Sequence, residues 1–214
     1  IRDDLVTGVQ TCALPIFVFG LLGSIAWVGV VTLPRVGWRW AVMRRCARGL
    51  ARLTATPLTI RGLEHLPRTQ RCVLVANHAS YVDGYALVGV VPVEFGFVAK
   101  RELLNAFGVG AFLNRIGTVF VERFDTRQAA AEESRITALA RADRSLMFFP
   151  EGTFSRIPGL LPFHMGAFVA AADSGLPVVP IAIRGTRSIL RSGSWFPRHG
   201  AIQVTVGEPV EAPA

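Results

Sequence analysis

An α/β fold, with a mostly parallel sheet flanked by helices, is what this chain of 214 residues predicts. Three observations carry the prediction. Beyond Thr56 short apolar runs alternate with amphipathic stretches, the rhythm of strand and helix in a layered domain. No repeat or low-complexity tract interrupts the alternation. The residues best suited to chemistry stand just after apolar runs, and open α/β sheets bind ligands beyond the carboxyl ends of their strands.

The elements follow in order. Val6 to Ile16 reads VTGVQTCALPI and resembles the in-frame translation of a common short-read sequencing adapter, so residues 1–16 are expected to be non-native. Residues 16–33 carry no charge over eighteen positions, the lower limit for crossing a bilayer, and Pro34 ends the run. Arg35, Arg39, Arg44, Arg45, Arg48 and Arg52 follow with no acid among them and with Trp38 and Trp40 between. At helical pitch Arg44, Arg48 and Arg52 form one cationic stripe, and tryptophans favour the headgroup level.

Residues 17–55 are therefore expected to be membrane-associating helices. They could form a transmembrane anchor with a cytoplasmic basic flank or a hairpin dipping into one leaflet; Gly20, Gly23 and Gly29 weaken the spanning arrangement. A buried core helix followed by a solvated basic helix is the plainer alternative. Residues 56–214 form the α/β domain. Its expected strands are 58–61, 72–76, 95–99, 118–121, 145–149, 178–183 and 202–206, and its helices 84–90, 103–114, 126–141 and 166–174.

Composition narrows the classes of partner. The formal net charge is +8, yet 51% of residues are hydrophobic, a pairing rare in a soluble nucleic-acid binder and suited to an anionic membrane surface. Cys12, Cys46 and Cys72 show neither paired nor metal-ligand spacing, and the histidines, His65, His78, His164 and His199, are equally scattered, so no metal site is expected.

The segment Asn77-His78-Ala79-Ser80-Tyr81-Val82-Asp83 holds the most chemistry. A histidine and a carboxylate five positions apart lie on different faces of a helix or strand, so they meet only where the backbone bends, at a strand end. There Asp83 would set the tautomer of His78 and stabilise the imidazolium formed when it takes a proton. The plainer reading is a capped helix start with Asp83 in its first turn. Ser80 raises a serine nucleophile, but the Gly-x-Ser-x-Gly elbow is absent and a capping role fits it better.

Three further blocks follow in fixed order: Gly117 to Arg123 (GTVFVER), Phe149 to Thr153 (FPEGT), and Val178 to Ile181 (VVPI). With the Asn-His-x4-Asp block they resemble the phospholipid/glycerol acyltransferase family, which includes the 1-acylglycerol-3-phosphate acyltransferases, over about residues 57–208. The resemblance implies acyl transfer from a thioester, acyl-CoA or acyl carrier protein, to the hydroxyl of a lysophospholipid, without a cofactor. It implies His78 and Asp83 as the catalytic pair, and Asn77, Lys100, Gly117, Arg123, Glu151, Gly152 and Thr153 as acceptor-binding residues. It also implies a membrane-associated enzyme with its catalytic domain on the cytoplasmic side, a bacterial inner membrane being expected.

Arg123 has the charge and planar fork to grip a phosphate, though an ion pair with Glu122 or Asp125 would equally occupy it. Glu151 would suit glycerol hydroxyls. Backbone N–H groups near the His78 turn are the first candidates for the oxyanion donors. Where many relatives carry Phe-Lys-x-Gly, this chain has Phe163-His164-Met165-Gly166.

Overall fold

The computed structural model describes residues 2–67, 70–121, 144–153, 159–190 and 197–211, with side chains described from Phe17 onward. Helix α1 (Arg2–Thr32) runs into a short turn at Leu33 and Pro34, and α2 (Val36–Leu53) folds back on it as a hairpin. The turn is closed by side chains rather than by capping residues. Arg39 donates to the carbonyls of Leu33, Pro34 and Arg115, while Arg115 donates to those of Val30, Val31 and Leu33. The orphan carbonyls at the end of α1 are thus satisfied by guanidinium N–H groups.

This hairpin changes two expectations. Among the described residues no helix is long and apolar enough to cross a membrane, and α1 and α2 pair as a hairpin. The six arginines also do not form one solvent-facing set. Arg39 is buried, Arg44 donates to the Val93 carbonyl and lies over the Trp40 ring, and Arg48 donates to the Gly89 carbonyl. Trp40 is fully buried edge-on to Phe95, whereas Trp38 is exposed beneath Arg35. The amphipathic period of α2 carries Trp40, Met43 and Ala47 inward, and they join one core with Val30, Leu74 and Leu87. A cut at 55/56 would open that core.

Among the described residues seven strands build one sheet: β1 (Leu58–Arg61), β2 (Val73–Ala76), β3 (Phe95–Lys100), β4 (Val119–Val121), β5 (Ser145–Phe148), β6 (Val178–Arg184) and β7 (Ile202–Val206). Their order is β1-β7-β6-β2-β5-β3-β4, and every pairing is parallel except β6 with β7. Central β2 is buried throughout, as a strand covered on both faces must be. Its alternation splits the core: Leu74 and Ala76 face α2 and α3 (Val82–Val90), while Val73 and Val75 join Ala167, Ala170 and Ala171 of α5 (Gly166–Ser174). Pro180 sits where the β6–β7 ladder ends, so its missing N–H breaks no bond there.

The expected helix 103–114 is broken. A 3-10 turn, Arg101–Asn105, precedes α4 (Val109–Arg115), with Gly108 at positive φ between them. Gly110 lies against the Leu104 carbonyl, and any side chain there would collide with it. A short helix α6 (Thr186–Ile189) was not expected from the sequence. The expected helix 126–141 lies outside the described residues.

Candidate active site

Parallel strands point their carboxyl ends one way, and that end of β2, β5 and β3 delivers the site. As the chain leaves β2, the Asn77 amide locks onto β6: Nδ2 donates to the Ile183 carbonyl at 3.0 Å and Oδ1 accepts from the Ile183 N–H at 2.7 Å. Asn77, expected to bind substrate, instead continues the ladder with its side chain.

The backbone then bends through residues 78–81, and Asp83, in the first turn of α3, reaches back. Its Oδ2 accepts from His78 Nδ1 at 2.9 Å, Ala79 N at 2.6 Å and Ser80 N at 2.8 Å. An oxygen already receiving two N–H groups is an acceptor, so Nδ1 carries the hydrogen and Nε2 is the basic nitrogen. Asp83 is fully buried and the His78 side chain 20% exposed, so the imidazole borders solvent while its partner does not.

The carboxylates use up the turn's donors. His78 N donates to Glu151 Oε1 at 2.8 Å, and Leu161 N donates to Glu151 Oε2 at 2.8 Å. Glu151 is 4% exposed with both oxygens engaged by backbone, so it ties the His78 turn to the segment after β5 rather than presenting itself to glycerol hydroxyls. With residues 78, 79 and 80 all donating to carboxylates, these three N–H groups are not the expected oxyanion donors.

The alternative nucleophiles fall away on position. Ser80 is fully buried, its Oγ donating to the Leu190 carbonyl and accepting from Val82 N; the N-cap of α3 is Tyr81, so Ser80 stands one residue before the expected cap. Cys72 stands at the opposite end of β2, and burial pushes its thiol up.

Other expected residues scatter. Lys100 ends β3 on the site's side of the sheet. Gly152 follows Glu151 with the His164 ring against it, and Thr153 is exposed beside it. Gly117 lies elsewhere: it precedes β4 at positive φ, against the Arg144 guanidinium and level with Gly96 near the start of β3, and serves that turn rather than a ligand. Arg123 lies outside the described residues, as do Glu122 and Asp125.

One contributor was missed. The Phe149 ring stacks on the His78 imidazole, centroids 4.2 Å apart and planes at 23°, with Phe97 stacked behind it at 6.4 Å. A π-face that close attracts a cation. The signal lay in the Phe-Pro-Glu-Gly-Thr block, where attention fell on the glutamate. Stepwise fluorination of Phe149 keeps its shape and drains that face of charge, so kcat is expected to fall in steps, by about threefold to tenfold in all, with KM unchanged. A flat series would mean that the ring only packs.

A buried carboxylate orienting an imidazole at the carboxyl end of a mostly parallel sheet defines a class, α/β proteins with an imidazole–carboxylate pair of the kind general-base chemistry uses. Residues 57–184 match the family model described as Acyltransferase, and the chain belongs to that family. A chloroplastic 1-acyl-sn-glycerol-3-phosphate acyltransferase of Brassica napus is 37% identical over 153 residues, covering 71% of this chain and 44% of the relative. The alpha form of Mus musculus is 34% identical over 153 residues, covering 71% and 54%. The chain thus spans about half the length of these curated relatives. The crystal structure of the 1-acyl-sn-glycerophosphate acyltransferase PlsC of Thermotoga maritima shares the fold with a TM-score of 0.76 at 20% identity, over 95% of this chain and 87% of that one.

Proposed function

We infer that the protein moves a fatty acyl group from a thioester to the free hydroxyl of 1-acylglycerol-3-phosphate, giving phosphatidic acid. The observation that carries this is the Asp83 carboxylate gripping His78 Nδ1 and two N–H groups of its turn at once, which fixes where Nε2 points. Nε2 takes the hydroxyl proton as the alcohol oxygen attacks the thioester carbonyl. The tetrahedral oxyanion then collapses, the C–S bond breaks, and the imidazolium returns the proton to the departing thiolate. Asp83 offsets the imidazolium charge throughout, and no covalent enzyme intermediate forms. Relatives named for this acceptor support it over glycerol-3-phosphate and other lysophospholipids. Coenzyme A and acyl carrier protein serve the chemistry equally as donor thiols.

The test is thiol release by the full chain across a panel of acceptors. Release only with 1-acylglycerol-3-phosphate supports the reading; none with any acceptor would leave a catalytically silent lipid-binding protein on the same fold. Arg123 is the proposed phosphate fork. Arg123→Lys keeps the charge but loses the bidentate geometry, so the acceptor KM is expected to rise with the donor KM little changed.

The enzyme works on a membrane, with the site on the cytoplasmic leaflet. Residues 17–32 of α1 carry no charge, and among them Ala26 and Val30 face the domain, whereas Phe17, Leu21, Ile25 and Val28, recurring at helical pitch, are exposed. Because α2 belongs to the core, the test is substitution rather than truncation. Leu21→Gln with Ile25→Gln is expected to weaken binding to anionic vesicles at low and high salt alike, by roughly tenfold or more. Unchanged sedimentation with vesicles would sink this placement.

A further inference from the structure

A second group of apolar side chains faces solvent beside the hairpin. Between β3 and α4 the chain passes through its 3-10 turn and Gly108, and Leu103, Leu104, Phe107 and Val109 all point outward. Phe107 is 105% exposed, a ring with no protein cover at all. The segment is held firmly behind that surface: the Leu104 carbonyl packs on Gly110, and Trp27 Nε1 of α1 donates to the Gly108 carbonyl at 2.8 Å. The Trp27 bond joins the segment to the flank of the helix whose outer arc is Phe17, Leu21, Ile25 and Val28. Lys100 and exposed Arg101 stand at its base, where β3 ends on the side of the sheet that carries His78.

We propose that residues 103–109 are a second lipid-inserting element, entering the same leaflet as α1 and bringing the mouth of the site to the headgroup level. The occupant is an anionic bilayer. Its layers match those of the segment, an apolar tip for the acyl region and cationic residues one step behind it for the phosphates. The patch is also continuous, through Trp27, with the uncharged residues 17–32 of α1. Four residues on a turn offer far less area than a stable second copy of the chain needs. The inference rests on the membrane reading of α1, and the experiment separates the two.

The full chain and its Leu104→Ser/Phe107→Ser variant are sedimented with phosphatidylcholine vesicles containing phosphatidylglycerol, at high salt so that the apolar contribution is read. The variant is expected to partition roughly tenfold or more weakly, with its melting curve in the absence of vesicles unchanged because both side chains are exposed. In Phe107→Trp, extra fluorescence quenched by lipids brominated on the acyl chain places the ring below the phosphates. Equal partitioning of variant and wild type, with wild type bound, overturns this inference alone. Absence of wild-type binding overturns the membrane reading and this inference with it. A lipid-free dimer that disappears in the variant assigns the patch to a second copy and likewise overturns it.

Discussion

His78→Ala is expected to cut thiol release in the presence of 1-acylglycerol-3-phosphate by at least about a hundredfold, the lower end of what a positioned general base contributes. The residue is partly exposed and anchors no core, so circular dichroism and melting should hold. Asp83 gives the finer reading. In Asp83→Asn the amide oxygen can still receive the three N–H groups now on Oδ2, which keeps the turn in shape while removing the charge that faces the imidazolium. A large loss of kcat is therefore expected with little change in either KM, and in the double variant the losses should not add, since orienting a base that is absent has no value. A folded His78→Ala protein transferring acyl groups at near wild-type rate would overturn the mechanism.

Glu151→Gln is expected to lower both the melting temperature and kcat, and to leave the acceptor KM nearly unchanged. The carboxylate receives one backbone N–H on each oxygen. A glutamine keeps the size but turns one acceptor into an amide donor facing an N–H group, and a buried donor left so costs about 1–3 kcal/mol. Loosening the His78 N–H also loosens the base, which is how a residue with no place for substrate reaches the rate. An acceptor KM that rose in a protein of unchanged stability would instead return Glu151 to the substrate.

Legibility followed range. The strands were readable through two patterns: β2, buried on both faces, is an unbroken apolar run, while 58–61 and 202–206 alternate apolar with polar and were placed to the residue, the others shifting by one at an end. The His78–Asp83 pairing was readable because its spacing leaves only a bend to satisfy it. The partners of the other polar residues were not, because they lie far off in sequence. Asn77 meets Ile183, Glu151 meets His78, and Arg115 meets Val31, and a motif shows which residue is present but not which backbone group consumes it. Residues 103–114 misled through periodicity, since the apolar pattern continued across Gly108, whose positive φ breaks the helix, and Gly110, where the Leu104 carbonyl takes the space of a side chain. Arginine count misled in α2 for the same reason: Arg39 carries a charge in the sequence and three carbonyls in the fold.

The edge of the sheet sets a clock. Strand β1 has β7 as its neighbour, and His65 Nδ1, just beyond it, pairs with the Val206 carbonyl across a sequence separation of 141. During synthesis β1 therefore leaves the ribosome long before anything it can pair with exists, and closing so long a loop is slow. The hairpin waits less: Arg39 reaches the Leu33 and Pro34 carbonyls from within its own turn, and only the Val30 and Val31 carbonyls wait for Arg115. Strand β1 is thus made well before it can be fastened, and in the interval an unpaired edge strand stands open, the condition in which nascent chains aggregate.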